Sequence, residues 1–255
     1  MLRSLLFTLL ILVPASVRAQ TVLPDLTVRL VAARYVPVEE DLHWLGWIGA
    51  GAGVLRVQGV TAYFAADVET IIGNSRRAFE ANQANYHLET GLRRPIGRHE
   101  IALAFHHVSR HYVDRPKVQA VDWNILGLRV SGEMGTPERP WRYAGAVGHT
   151  TLASLVGYGW EVTAHLDRDL LGRPSRALYA ATDARFVTSD ASPALARGAF
   201  LDLSGEAGVR WRGESRELCL FALLERRNDV FLEEAGRRDR GLFGLRIVGG
   251  RQGIR

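Results

Sequence analysis

The stretch from Gly59 to Ile72, GVTAYFAADVETII, decides how the rest of the chain is read. Its even positions Val60, Ala62, Phe64, Ala66 and Val68 are apolar, while the odd positions include Thr61, Tyr63, Asp67 and Glu69. Successive side chains of a β-strand point to opposite faces, so the segment reads as a strand with one greasy side and one charged side.

The same alternation recurs along the chain. Tyr86, Leu88 and Leu92 oppose His87, Glu89 and Arg93; Tyr158, Trp160, Val162, Ala164 and Leu166 oppose Glu161, Thr163 and His165. Leu178, Ala180, Ala184 and Phe186 oppose Tyr179, Asp183 and Arg185, and Leu201, Leu203, Ala207, Val209 and Trp211 oppose Asp202, Ser204, Glu206 and Arg210. With the less distinct segments, strands are expected near residues 26–36, 45–55, 58–72, 84–94, 98–111, 119–130, 141–150, 157–167, 175–187, 198–212, 217–228 and 241–248. Tight connections (94–97, 212–215) alternate with longer ones (74–83, 187–197, 229–240). The fold class expected is all-β: an antiparallel up-and-down transmembrane β-barrel of about twelve strands, short turns on the periplasmic side and long loops outside.

A soluble sandwich or lipid-binding barrel would show the same period with its apolar side turned inward. Mid-strand charges such as Glu89, Arg142, Glu161, Asp183, Asp202, Glu206 and Arg246 fit either architecture. The aromatic ends of the apolar faces, Trp141, Tyr143, Tyr158, Trp160 and Trp211, favour the membrane, because such rings gather at the two bilayer interfaces.

Residues 1–19 read as a secretory signal peptide: Arg3 gives a positive start, Leu5 to Val13 an apolar run, and Val17-Arg18-Ala19 a small-residue cleavage site. Residues 20–255 then form the barrel, exported to the outer membrane of a Gram-negative bacterium. The net charge of +5 is carried almost wholly by arginine, since Lys117 is the sole lysine. Interspersion of these arginines with acids argues against a nucleic-acid surface. The lone Cys219 rules out an intrachain disulfide and a Cys-based zinc site; it is expected to face inward beside Phe221 and Leu223.

The candidate site lies in Phe105 to Asn124, FHHVSRHYVDRPKVQAVDWN. On a strand, His107, Ser109 and His111 share one face and His106, Val108 and Arg110 the other. Ile101, Leu103 and Phe105 put the first set on the lipid side. Counting back from Leu126, Leu128 and Val130 puts Asn124 and Asp122 there too. These groups are either ordinary polar residues at a strand exit or subunit contact, or a nucleophile with its base. His107 and His111 do not read as a zinc pair, being about 13 Å apart along an extended strand.

His107-Val108-Ser109, followed by Asp122 or Asn124 on the next strand, resembles outer-membrane phospholipase A and the lipid A 3-O-deacylase. These are barrels with a lipid-facing His-x-Ser pair and an Asn or Glu on the neighbouring strand. The region from Asn85 through Asp114 also resembles an uncharacterised family of bacterial outer-membrane barrels with a His-x-Ser-x-His strand end. The first resemblance implies a lipid acyl-ester hydrolase acting on phospholipid or lipid A. Ser109 would attack the ester, His107 take its proton, and Asn124 or Asp122 hold the imidazole. Arg110 and His111 depart from the hydrolase pattern; with Arg115 and Lys117 they are candidate contacts to the substrate, the loop cations lying near the rim where lipid phosphates sit, while Arg110, like Arg93 and Glu89, also reads as an inward charge paired within the lumen. The residues imply no cofactor or protein-built metal site; the oxyanion is left to backbone amides or a bound cation, calcium included. Outer-membrane lipids are the partners expected, and no pattern sets an oligomeric state. The alternative function is a non-enzymatic structural barrel or a narrow small-solute pore.

Overall fold

A computed structural model of the chain describes residues 21–74, 77–113, 121–136, 138–191, 195–230 and 238–250. The proposed signal peptide and the loop residues Asp114, Arg115, Pro116 and Lys117 lie outside the described residues. Twelve strands follow one another: β1 (Thr21–Glu39), β2 (Leu42–Val57), β3 (Val60–Gly73), β4 (Glu80–Ile96), β5 (His99–Tyr112), β6 (Val121–Met134), β7 (Trp141–Ser154), β8 (Tyr158–Arg173), β9 (Arg176–Ser189), β10 (Gly198–Arg212), β11 (Arg216–Arg227) and β12 (Arg238–Gly250). Each pairs antiparallel with its sequence neighbours, and β1 pairs with β12, closing the sheet into a barrel. The strands number and fall where the alternation places them, several residues longer at their ends.

Face assignment follows parity. On β5, Ile101, Leu103 and Phe105 are exposed while Ala102, Ala104, Val108 and Arg110 are buried; on β6, Leu126, Leu128 and Val130 are exposed while Val121, Trp123 and Ile125 are buried. The apolar faces therefore point out and the polar faces line the lumen. Aromatic side chains mark both ends of the outer surface. At the short-turn end Arg168 stacks over Trp141, Arg176 over Trp211, and Tyr143 bonds His99 at 2.8 Å. At the other end Trp44 meets Phe79, and Trp160 meets His149.

One expected girdle residue is misplaced by the alternation. The register steps from Tyr158↔Ser189 to Glu161↔Val187, so β8 spends three residues where β9 spends two. This bulge shifts parity by one. Tyr158 turns into the lumen, 8% exposed, while Trp160 beyond the bulge remains outside at 53%. A second bulge, between β6 and β7, places the extra residue on β7 and leaves the parity of β6 unchanged.

Arginine–carboxylate pairs line the lumen, several of them spanning non-adjacent strands. Arg227 on β11 makes a bidentate pair with Glu69 on β3, at 2.6 and 3.0 Å. Arg246 makes another with Glu206, at 2.6 and 3.0 Å. Arg212 joins Asp169 at 2.6 Å and Glu217 at 2.9 Å. Cys219 is buried among apolar neighbours including Phe221 and Leu223, and its sulfur donates to Glu217 at 3.3 Å.

Residues 228–230, which follow β11, fold into the mouth of the barrel. Asp229 and Val230 are each 1% exposed. Gln83 donates to the Val230 carbonyl at 2.9 Å, and Arg110 donates to that of Asp229. The carboxylate oxygen Oδ2 of Asp229 accepts from Tyr158 at 3.0 Å and Arg185 at 3.1 Å, and lies 3.2 Å from Arg110 Nη2. Burial alone would raise the pKa of Asp229, but the guanidinium groups of Arg110, Arg185 and Arg227 outweigh it and hold the carboxyl well below the usual range. Removing one partner of such a buried pair costs about 3–5 kcal/mol, because the other charge is left unpaired. Below this plug a cavity of about 680 Å³ runs down the lumen, lined by Tyr63, His87, Glu89, His106, Arg129 and Arg185 among others.

Two outcomes follow from these placements. In single-tryptophan variants reconstituted with brominated lipid, Trp44, Trp141, Trp160 and Trp211 are expected to be quenched and Trp47 and Trp123 spared; quenching of Trp123 would reverse the face assignment. In planar bilayers the wild type is expected to be closed at pH 7 and Asp229→Ala to conduct. Because the folded-state pKa of Asp229 is depressed, the tie is intact above the unfolded value of about 4 and weakens as pH falls below it. Wild-type conductance should accordingly rise only in strong acid, and an Asp229→Ala protein as closed as wild type would exclude the plug.

Candidate active site on the outer face of strands β4 to β7

The site is built where β5 approaches the loop end. Ladder pairing sets His107 opposite Asn124, Ser109 opposite Asp122 on β6, and Tyr86 on β4 opposite Ser109. His107, Ser109, His111, Asp122 and Asn124 are all half-buried on the outer face, above the apolar tier of Phe105, Leu103, Leu126 and Leu128.

His107 Nδ1 lies 2.7 Å from Asn124 Oδ1. An amide oxygen only accepts, so this contact fixes the proton on Nδ1 and leaves Nε2 as the free, basic nitrogen. Asp122, the alternative partner for the imidazole, instead accepts a long bond from Ser154 Oγ at 3.5 Å. Asn124 is thus the residue brought to His107.

Ser109 Oγ lies 3.2 Å from His111 Nε2. The sequence pattern makes His111 a substrate contact and not a base, yet in the resting arrangement it is the imidazole touching the hydroxyl. The signal was available, because residues two apart on a strand share a face in both directions from Ser109. The His111 ring also meets the Tyr86 ring edge-on, centroids 5.4 Å apart. Ser109 therefore stands between two imidazoles: one in contact, and one held by a carboxamide.

Of the two readings of Arg110, the structure has the inward, ion-paired one and not the substrate contact. Parity turns its side chain inward, where it is 6% exposed, pairs with Asp229 and stacks at 5.1 Å over Trp123. It does not meet lipid on the outer face. Among the described residues no cluster of three or more His, Cys, Asp or Glu side chains could hold a metal ion.

No family model matches the sequence, and no curated protein matches it. Solved structures do. The barrel is similar to the outer membrane phospholipase (OMPLA) of Salmonella typhi, solved as a dimer with bound calcium, with a TM-score of 0.55, 10% identity and 93% of each chain covered. It is similar to the outer membrane phospholipase A of Escherichia coli, with a TM-score of 0.53, 10% identity and 92% of each chain covered. The fold is that of an outer-membrane β-barrel. At such low identity the likeness speaks for architecture, and the chemistry of this outer face rests on its own geometry.

Proposed function

We propose that this outer-membrane barrel is a serine-type lipid acyl hydrolase working on its bilayer-facing surface, with phospholipid or lipid A as the substrate class. The observation that carries this reading is the 2.7 Å bond between His107 Nδ1 and Asn124 Oδ1 on the same outer face as Ser109. A nucleophile, a base and a group that orients the base are the parts acyl transfer needs. The likeness of the barrel to two phospholipase structures supports the reading at the level of fold alone.

In the proposed cycle, a change of the Ser109 rotamer carries Oγ from His111 toward His107. Oγ bonds to the ester carbonyl carbon as its proton passes to His107 Nε2, and the carbonyl oxygen takes the displaced electron pair. Collapse of that intermediate expels the alcohol, which takes the proton from His107, and leaves the acyl group on Ser109. Water, deprotonated by the same nitrogen, then releases the fatty acid. Asn124 keeps the imidazole in the useful tautomer throughout. His111 holds the hydroxyl between turnovers. Arg115 and Lys117 remain proposed contacts to lipid phosphate.

The second reading is a non-enzymatic barrel or a narrow pore, favoured by the charged lumen cavity of about 680 Å³. Burial of Asp229 at its mouth counts against free conduction.

With purified protein in vesicles of phosphatidylethanolamine and phosphatidylglycerol, and separately in lipid A, fatty-acid release is expected to fall to background in Ser109→Ala. General-base contributions suggest losses of about 10²- to 10⁴-fold for His107→Ala, with Asn124→Ala smaller and His111→Ala least. Release unchanged in Ser109→Ala would remove the hydrolase reading. A larger loss for His111→Ala than for His107→Ala would exchange the roles of the two histidines.

A further inference from the structure

The hairpin between β8 and β9 closes on Arg173-Pro174-Ser175-Arg176, at the short-turn end of the barrel. β8 reaches it through a bulge: the ladder steps from Asp169↔Tyr179 to Leu171↔Leu178, so β8 spends two residues where β9 spends one. Parity shifts by one. Asp169 faces the lumen, where Arg212 holds it, but Leu171 and Arg173 turn to the outer side with Leu178 and Arg176. Without the extra residue the two arginines would point to opposite faces.

Arg173 and Arg176 are direct ladder partners, and the rung continues to Trp211 on β10. Like charges set opposite each other repel. Both side chains are exposed, and among the described residues neither forms a hydrogen bond or an ion pair. Arg176 lies over the Trp211 ring at 5.7 Å. The turn that presents them is held from inside: the Arg212 amide donates to the Ser175 carbonyl at 2.9 Å and its guanidinium to that of Pro174 at 3.4 Å. Arg212 is in turn fixed by Asp169 and Glu217. The next outward rung is wholly apolar, with Leu171, Leu178 and Val209 side by side and the two leucines 60% and 47% exposed. Two unpaired forks thus stand over a hydrocarbon tier, at the depth that an interfacial tryptophan marks.

We propose that the β8–β9 hairpin is a binding site for the phosphate of an anionic phospholipid, whose acyl chains lie along Leu171, Leu178 and Val209. A guanidinium fork matches phosphate oxygens, and an anion between two like charges removes their repulsion. Both charges are positive, so a headgroup without an ammonium, such as phosphatidylglycerol, is preferred to a zwitterionic one. Because the turn is already held in place, little ordering opposes binding. The site lies at the opposite end of the barrel from Ser109 and is independent of whether the outer face hydrolyses lipid.

The test uses the full barrel with Trp211 as its one tryptophan, folding checked by heat-modified gel mobility. It is placed in phosphatidylcholine vesicles carrying a minor fraction of brominated phosphatidylglycerol or brominated phosphatidylcholine. Quenching is expected to favour phosphatidylglycerol, and the preference to fall about fivefold for each of Arg173→Gln and Arg176→Gln. Arg173→Lys, which keeps the charge and loses the fork, should fall between Arg173→Gln and the unsubstituted protein. Arg94→Gln removes an exposed arginine at the same end of the barrel, on β4, and should leave the preference at Trp211 unchanged. Equal quenching by the two lipids overturns the proposal. So does a loss in Arg94→Gln as large as in Arg173→Gln, which would reduce the site to diffuse rim charge. Inorganic phosphate that abolishes the preference, where sodium chloride of equal ionic strength does not, would assign the forks to a free ion and refute the lipid. Because Arg176 touches Trp211, a second measurement avoids fluorescence. In native mass spectrometry from mixed-lipid nanodiscs, wild type should retain a phosphatidylglycerol that the Arg173→Gln, Arg176→Gln double variant loses; equal retention refutes the site.

Discussion

Everything in this molecule depends on closure of the β1–β12 seam. Inside hydrocarbon no water can satisfy a free backbone N–H or C=O, each of which would cost several kcal/mol, so a sheet can cross a membrane only when it has no edge. Ten residue pairs, from Thr27↔Gly250 to Val36↔Gly241, make that seam. Closure in turn forces a strict division of side chains between two solvents, and that division is why a period of two in the sequence carries so much information.

The two faces solve opposite problems. Outward residues need only be apolar and roughly fill their tier, and Leu, Val and Phe do so with little specificity. Inward residues include charges removed from bulk water, and a buried charge is tolerable only when paired and hydrogen-bonded. Arg185 illustrates the solution, reaching Glu161 at 2.9 Å and Asp202 and Asp229 at 3.1 Å from strands on either side and from the plug. Such ties run across the barrel and brace a wall that would otherwise be a flexible ribbon.

Legibility follows the same division. Strand number, face and the outward grouping of His107, Ser109, His111, Asp122 and Asn124 were readable, because each depends only on local parity. Tyr158 escapes local parity because a bulge inserts one residue, and Tyr-Gly-Trp preserves the appearance of alternation across it. Arg110 is an instructive middle case: parity alone puts it in the lumen, and only the pull of a rim-side phosphate reading placed it with the lipid contacts. Asp229 could not have been found, since it lies in a loop and its partners on β5, β8 and β9 are brought to it by tertiary structure. The choice between Asn124 and Asp122 likewise needed the register, which sets Asn124 across from His107 and Asp122 across from Ser109.

The near absence of lysine, which as composition suggests no more than a coding bias, acquires a mechanical meaning in the lumen. A guanidinium is flat and forked, so a single one can join carboxylates on separate staves of the barrel at fixed angles, as Arg212 does with Asp169 and Glu217. An ammonium is a point that swivels. A barrel rebuilt with lysine at these positions would have the same electrical tally and an interior of loose tethers in place of struts, so its cross-section would be set by the backbone ladder alone.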